Sequence, residues 1–390
     1  MRILFSSTGN DGHFGPLVPF ARACVAAGHE VRVAAPESYT ASVARTGLDH
    51  EPFPDPPPEV IGPVVAKLMT LPVQEADALV IREVFGRIDA QAALLSVLEI
   101  VERWRPDVIL REPAEVAALA AAERSGVPHV QVCMGMHETA CRLAESMADP
   151  LDELGELVGL GDGLLAKAPA TEDILSLVPE LLDYAAGGAP PGTGRVRRFH
   201  QPTGTASEPR PLEWGDPDLP LIYVTFGSVT GSIPPFKGVF AEALDALADL
   251  NACILMTTGR GFDPETLGAL PANAQVRQWV PQEQVLAHAA AMLGHGGFGT
   301  TIGGLAAGVP QVVTPLFTFD QVVNGNRVAA VGAGLTTDQQ PGNVARGAAD
   351  LPRLLTSTSY AESARRVAAA LSELPPPSEV VPVLVELARR

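Results

Sequence analysis

The sequence predicts an α/β protein of two doubly wound domains, each built on a parallel sheet. Three observations carry this. A strand-helix-strand pattern opens the chain, a second begins near residue 221, and a stretch dense in Gly and Pro lies between them. Strands alternating with helices in this way point to parallel strands joined by crossover helices. In the first repeat, Ile3 to Ser6 reads as a buried strand. Residues 16 to 27 read as a helix closed by Gly28, and Val31 to Ala35 as the strand that follows. A further strand runs from Asp107 to Arg111 and leads into Glu112. In the second repeat, Leu221 to Phe226 is a strand, Phe236 to about Leu250 a helix, and Cys253 to Thr257 the return strand. Between the repeats, residues 187 to 220 hold Pro190, Pro191, Pro202, Pro209, Pro211, Pro217 and Pro220, the composition of an interdomain connection. The expected domains are therefore residues 1–210 and 211–390, with the linker at about 205–218. The last segment, 359–390, is a helical pattern broken by Pro375, Pro376 and Pro377, and such a tail is able to cross back to the first domain.

Composition narrows the function classes. The 390 residues suit two to three domains, and 46% hydrophobic with 18% charged residues suits sizeable cores. A net charge of -18 opposes nucleic-acid binding, because a phosphate backbone selects a basic face. The cluster Arg195, Arg197 and Arg198 is too small to reverse that and reads as a solvated strand edge. Cys24, Cys133, Cys141 and Cys253 have neither CxxC spacing nor the density of a disulfide scaffold, so they read as buried thiols in a reducing compartment. Met1-Arg2-Ile3-Leu4-Phe5 runs straight into a strand, and no run of about 18 apolar residues occurs. The expectation is a cytoplasmic protein with no integral membrane segment.

The chemistry concentrates between Trp279 and Arg327. A buried strand there opens into His295-Gly296-Gly297-Phe298-Gly299-Thr300. Backbone N–H groups at a helix N-terminus are unpaired and lie at the positive end of the helix dipole, and glycines let an anion approach them, so such a loop suits a diphosphate. His295 and Thr300 add side-chain donors. Gly294, Gly296 and Gly299 also match GxGxxG, but a dinucleotide site wants an acidic residue about 20 positions on, at the end of the next strand. That strand, Gln311 to Thr314, ends at Pro315 without one. A plainer reading stays open: the glycines only permit tight helix-strand packing, and His295 is structural.

Trp279-Val280-Pro281-Gln282, the His295 to Thr300 loop, Gly308-Val309-Pro310, and Asp320-Gln321 followed by Asn324 resemble, in order and spacing, the donor-binding signature of family 1 glycosyltransferases of the GT-B fold. Gly12-His13-Phe14-Gly15-Pro16 and Tyr223-Val224-Thr225-Phe226-Gly227-Ser228 are similar to that family too, especially its bacterial natural-product and antibiotic branch. The resemblance spans nearly the whole chain; its C-terminal motif is highly specific and its N-terminal one less so. Residues 55–100 and 134–200 carry no motif. The resemblance implies two Rossmann-like domains facing each other across a cleft, the first binding the acceptor and the second a nucleotide sugar.

On that resemblance, Trp279 stacks on the nucleotide base and Gln282 bonds the base edge, although Trp279 alone would pass for a core tryptophan. Ser228, His295 and Thr300 hold the diphosphate together with the glycines Gly297 and Gly299 of the loop. Asp320 and Gln321 bond sugar hydroxyls, or else merely begin a helix. Protein donors then do the work of a metal, so no metal or other cofactor is implied. The one Asp-x-Asp string, Asp216-Pro217-Asp218, falls in the Pro-rich linker. His13 is the implied general base, since a neutral imidazole accepts a hydroxyl proton near its ordinary pKa of about 6.5; an isolated His in a glycine-rich turn is otherwise structural. Glu112 stands where the family usually has an Asp that orients this base. With Arg111 and Pro113 beside it, Glu112 could instead pair with a cation. Eight residues after His295, where most relatives carry a Glu for the ribose hydroxyls, this chain has Gly303 and then Gly304. That departure resembles transferases that use 2'-deoxyribose donors, and glycine packing explains it equally simply.

The function so implied is an inverting, metal-independent glycosyltransferase moving a deoxyhexose from a thymidine diphosphate donor to a hydroxyl of an apolar secondary metabolite. The acceptor pocket is expected around Met69, Met134, Met136 and His137, although methionines also serve as plain core filling. The partners are a nucleoside diphosphate sugar and a hydrophobic small molecule, with a homodimer left open. Two competitors share the pattern: a GT-B nucleotide-sugar 2-epimerase, and a catalytically silent helper of a partner transferase.

Overall fold

The computed structural model describes residues 1–185, 187, 194–201 and 215–389, so the expected linker lies outside the described residues up to residue 214. The described chain forms two compact units. The first comprises Met1–Val178 with residues 194–201 and 374–389. The second comprises residues 179–185, 187 and 215–373.

The first unit holds seven strands: β1 (Arg2–Ser6), β2 (Glu30–Pro36), β3 (Asp49–Phe53), β4 (Val108–Arg111), β5 (His129–Val132), β6 (Asp173–Ser176) and β7 (Val196–Arg198). They pair in parallel in the order β3-β2-β1-β4-β5-β6-β7. Ile3, Phe5, Val33, Val108, Leu110 and Val130 are buried apolar positions on central strands, as a sheet covered on both faces requires. The helix read over residues 16–27 splits into a 3-10 turn, Gly15–Leu17, and a helix, Val18–Ala26. Pro16 and Pro19 explain this: proline lacks an N–H and fits only the first turn of a helix, so each one starts its own segment. Among the Arg residues of the basic cluster, Arg197 pairs with Asp173 at 3.0 Å and Arg198 donates to the Val178 carbonyl at 2.7 Å on the edge strand β7.

The second unit repeats the plan. Its strands are β8 (Leu221–Thr225), β9 (Cys253–Thr257), β10 (Ala274–Arg277), β11 (Ala289–Gly294), β12 (Gln311–Val313) and β13 (Gly334–Thr336), all parallel, in the order β10-β9-β8-β11-β12-β13. Pro234–Phe236 forms a 3-10 turn, so the following helix begins at Val239, later than the sequence suggests. The tail divides. The helix Thr358–Ser372 belongs to the second unit, while the helix Val380–Leu387 packs in the first, where Val380, Leu384 and Leu387 join the core of Leu17, Phe20 and Phe199.

In each sheet the chain starts in the middle and winds outward in both directions. The order reverses between β1 and β4 in the first sheet and between β8 and β11 in the second. Loops leaving neighbouring strands diverge there, which opens a crevice at the carboxyl ends. His13 and Glu112 follow β1 and β4; Ser228 and His295 follow β8 and β11.

Candidate active site

After β1 the chain turns at Asn10, whose side chain accepts from the Gly12 N–H at 2.8 Å, and enters one helical turn, Asp11–Phe14. His13 therefore stands on a helical turn within the glycine-rich segment that follows the first strand. Its Nδ1 lies 3.2 Å from Glu112 Oε2 and 3.2 Å from Thr8 Oγ1. Thr8 donates its hydroxyl and its backbone N–H to Glu112 Oε1, both at 3.1 Å, and Ala114 N–H donates to Oε2 at 2.7 Å. Burial alone would raise the Glu112 carboxyl, but the charge and hydrogen bond of His13 and the backbone donors outweigh it, so it sits below its ordinary range. A carboxylate facing Nδ1 makes that nitrogen the proton carrier and leaves the lone pair on Nε2. The ring of Phe85 lies against His13 at 5.3 Å between centroids.

The cation beside Glu112 does not pair with its carboxylate. Arg111, 1% exposed, turns the other way and pairs with Glu172, whose side chain is 0% exposed. His129 Nδ1 lies 2.7 Å from Glu172 Oε1, and its Nε2 lies 3.0 Å from Glu123. Burial would lower His129, but its hydrogen bonds to Glu123 and Glu172 outweigh that and push it up to about 9. Beside Thr8 is a cavity of about 200 Å³ whose walls include Asp55, Asp89 and Glu115. Burial, with the nearby Glu112 charge, pushes Asp89 and Glu115 each up to about 7.

In the second unit, His295 follows β11 and is 7% exposed. The backbones of Gly227 and Gly297 flank its ring: a Cβ at Gly227 would lie 2.7 Å from Cε1, and one at Gly297 2.5 Å from Nε2. Gly227 (φ +78°) and Gly296 (φ +88°) take the left-handed backbone that glycine adopts without strain. Burial lowers His295 to about 4, and its Nδ1 is buried with no hydrogen-bond partner among the described residues. Gly297 is the N-cap of the helix Phe298–Ala306, so the backbone N–H groups of Phe298, Gly299 and Thr300 form its first turn. A Cβ on Gly299 would meet open space. Ser228 is exposed on the loop after β8, and Thr300 is half-buried.

The remaining residues named for the donor lie in the same unit. Trp279 is 60% exposed. Gln282 donates to the Thr300 carbonyl at 3.3 Å, and its amide fills the space beside Gly303, 2.5 Å from where a Cβ would stand. At Gly304 a Cβ would meet the Met292 methyl at 2.9 Å. Gln321 is buried and accepts from Leu316 N–H at 2.7 Å and Phe317 N–H at 3.1 Å, while Asn324 donates to the Gly296 carbonyl at 2.7 Å. Asp320 lies inside the first turn of the helix Phe319–Ala330, whose N-cap is Thr318.

The four residues expected at an acceptor pocket lie in the first unit. Met69 ends the helix Pro58–Leu68 and is half-exposed, Met134 is intermediate, and Met136 and His137 are fully buried at the start of the helix His137–Ser146. In the Asp216-Pro217-Asp218 string, Asp216 Oδ1 accepts from the Asp218 N–H at 2.9 Å, a local turn. Among the described residues no group of three or more His, Cys, Asp or Glu side chains is placed to hold a metal ion, and no helix is long and apolar enough to cross a membrane. Sequence reasoning missed Thr8, Phe85, Asp89 and the Arg111 partners. Thr8 stands two residues past a strand read as buried, the one available signal; Phe85 and Asp89 lie in a stretch without motifs.

Residues 22–153 match the N-terminal and residues 241–387 the C-terminal domain of the erythromycin biosynthesis protein CIII-like family. L-demethylnoviosyl transferase of Streptomyces niveus is 31% identical over 386 residues, covering 97% of this chain and 96% of that protein. The glycosyltransferase SnogD from Streptomyces nogalater has a solved structure with a TM-score of 0.75 at 28% identity, covering 100% and 99% of the two chains. Spinosyn rhamnosyltransferase SpnG complexed with thymidine diphosphate shares the fold, with a TM-score of 0.80 at 22% identity over 99% and 100% of the chains. With two parallel-sheet units and a match this extensive, the chain belongs to the GT-B glycosyltransferases of antibiotic and natural-product biosynthesis.

Proposed function

We propose that this glycosyltransferase inverts the sugar carbon in a single displacement without a metal, taking a deoxyhexose from a thymidine diphosphate donor and passing it to a hydroxyl of an apolar aglycone in the cytoplasm. The observation that carries the proposal is the His13–Glu112 pair at the β1/β4 reversal. Glu112 fixes the proton on Nδ1, so Nε2 takes the acceptor hydroxyl proton as the oxygen attacks the sugar C1. The bond from C1 to the diphosphate oxygen breaks in the same step, and the leaving group keeps the electron pair. Attack opposite to departure inverts C1.

The second unit supplies what the departing diphosphate needs. The first-turn N–H groups of the helix Phe298–Ala306 and the dipole behind them favour negative charge. His295, kept neutral by burial, offers a buried nitrogen that a phosphate oxygen would satisfy. Ser228 and Thr300 add hydroxyls. The exposed face of Trp279 suits a base, with Gln282 beside it. Asp320 and Gln321 would meet the sugar, Gln321 by donating from its amide NH2, since its carbonyl oxygen already accepts from Leu316 and Phe317. The acceptor-binding role falls to the first unit, residues 1–210 in the sequence reading, with half-exposed Met69 and Met134 the more accessible of the four residues named for it.

Gly303 lacks the carboxylate that would hold a ribose 2'-hydroxyl, and SpnG, a structural relative, is known in complex with thymidine diphosphate. Both support a thymidine donor. Purified protein incubated in EDTA with nucleotide sugars and a panel of aglycones tests the reading by mass spectrometry. Glycosylated aglycone from thymidine donors is expected. Free rearranged sugar would point to an epimerase, no turnover to a helper, and activity restored only by a divalent ion would end the metal-free mechanism.

A further inference from the structure

We propose that Arg111 is a positioning residue for Glu112, anchored for that task by Glu172 and His129; the inference rests on the reading of His13 and Glu112 above. Arg111 ends β4, and Glu112 is the next residue. One edge of the guanidinium grips Glu172: Nε donates to Oε1 at 3.2 Å, Nη2 donates to Oε2, and Nη2 also reaches Gln131 Oε1 at 3.2 Å. The other edge faces the loop. Nη1 donates to the backbone carbonyls of Glu112 at 3.3 Å, Pro113 at 3.5 Å and Glu115 at 3.5 Å. All five guanidinium hydrogens thus have acceptors, and the loop that carries Glu112 wraps around one side of a fixed plane.

A buried ion pair is a weak source of stability compared with apolar residues of the same volume. What this one gives the loop is position. Glu172 is itself held from behind by His129, and His129 by Glu123, so the guanidinium has little room to rotate. With the Glu112 backbone fixed, its carboxylate meets Thr8, Ala114 and His13 together. A lysine would not reproduce this, because a point charge cannot grip a carboxylate with two parallel bonds and a row of carbonyls at once. Arg111 touches no reacting atom in this scheme; it acts through Glu112.

A double-mutant cycle on the full chain tests the proposal, using a thymidine diphosphate hexose and an aglycone accepted in the panel above. The variants are Arg111→Lys, Glu112→Gln, both together, and Glu172→Gln alone and with Glu112→Gln. Displacing a catalytic group by about 1 Å costs up to roughly 100-fold, so Arg111→Lys should lower kcat by about 30-fold. Donor KM should stay within about threefold, since Arg111 belongs to the first unit and the residues proposed to hold the donor belong to the second. The double variant should be no worse than Glu112→Gln alone to within about threefold, because a group that works through Glu112 has nothing left to position. Glu172→Gln should behave in the same way and covers the case in which Arg111→Lys does not fold. Losses that multiply in both cycles, or an Arg111→Lys enzyme with wild-type kcat, overturn the proposal while leaving the base assignment standing. A Glu112→Gln enzyme with wild-type kcat removes that assignment, and this inference with it.

Discussion

At His13 a carboxylate and a hydroxyl hold the ring; at His295 glycine backbone does, and the surroundings decide what each imidazole can do. A carboxylate partner makes His13 a proton acceptor at Nε2, whereas burial without a charged partner keeps His295 neutral. The glycines near His295 also separate by role. Gly227 and Gly297 leave no room for a side chain, but Gly299 has open space, so the fold itself does not require glycine there. Gly299→Ala should stabilise the second unit by up to about 1 kcal/mol through lower chain entropy. It should also raise donor KM by roughly tenfold, a loss of about 1.4 kcal/mol. Melting curves and donor titrations read the two effects separately; a variant with unchanged donor KM would mean that no anion comes close to Gly299. Gly303 is a different case, because the Gln282 amide occupies the space beside it. In Gly303→Glu that amide has to leave the Thr300 carbonyl, and the new carboxylate gains reach to a ribose. With one sugar on both nucleotides, the kcat/KM ratio should move toward uridine by at most roughly 10- to 150-fold, the worth of a hydrogen bond to a charged group. A wild type that already prefers uridine tenfold would show that Gly303 serves only to house Gln282.

The loops at the carboxyl ends of β1, β4, β8 and β11 carry His13, Glu112, Ser228 and His295, and sequence revealed them unequally. The glycine-rich segment after β11 is legible because its backbone chemistry is local: glycines, a helix start and a histidine within six residues. The Glu112 loop is less so. Whether Glu112 meets His13 or a cation depends on where Arg111 points, and Arg111 is decided by Glu172, 61 residues away in a stretch without motifs. Phe85, on a widened π-helical stretch Val80–Asp89, is hidden for the same reason. The buried charges around β4 and β5 have a consequence of their own for stability. His129 is raised from an ordinary 6.5 to about 9, so the folded state favours its charged form. That contribution, about 3 kcal/mol, is fully present below pH 6.5 and is lost as pH rises through 9. Thermal melts between pH 6 and 10 should show the first unit weakening across that window, with His129→Gln flattening the decline. An equally steep decline in the variant would assign the effect to other groups.

Over the whole chain, the two strand-helix-strand repeats were readable because parallel sheets need apolar runs joined by helices, and that pattern recurs from Leu221 as it does from Ile3. The path of the tail was readable only as a break at Pro375 to Pro377. Its destination depends on a distant core: Val380, Leu384 and Leu387 pack with Leu17, Phe20 and Phe199. Ending the chain at Glu373 removes those three side chains, each worth about 1.5–3 kcal/mol when buried. Calorimetry should then show an early transition for the first unit and a late one for the second; a single unchanged transition would mean the tail contributes nothing. The central claim, that His13 is the base of a single inverting displacement, is tested most directly by comparing wild type with His13→Ala on one thymidine donor and an aglycone alcohol. Product would be counted by mass spectrometry, its linkage read by NMR, and donor affinity measured alongside. The wild type should give the inverted glycoside, and the variant should lose about 100- to 10,000-fold in turnover while binding donor within a few-fold. A retained configuration in the product, or a variant that keeps more than about a tenth of wild-type turnover, would contradict the account.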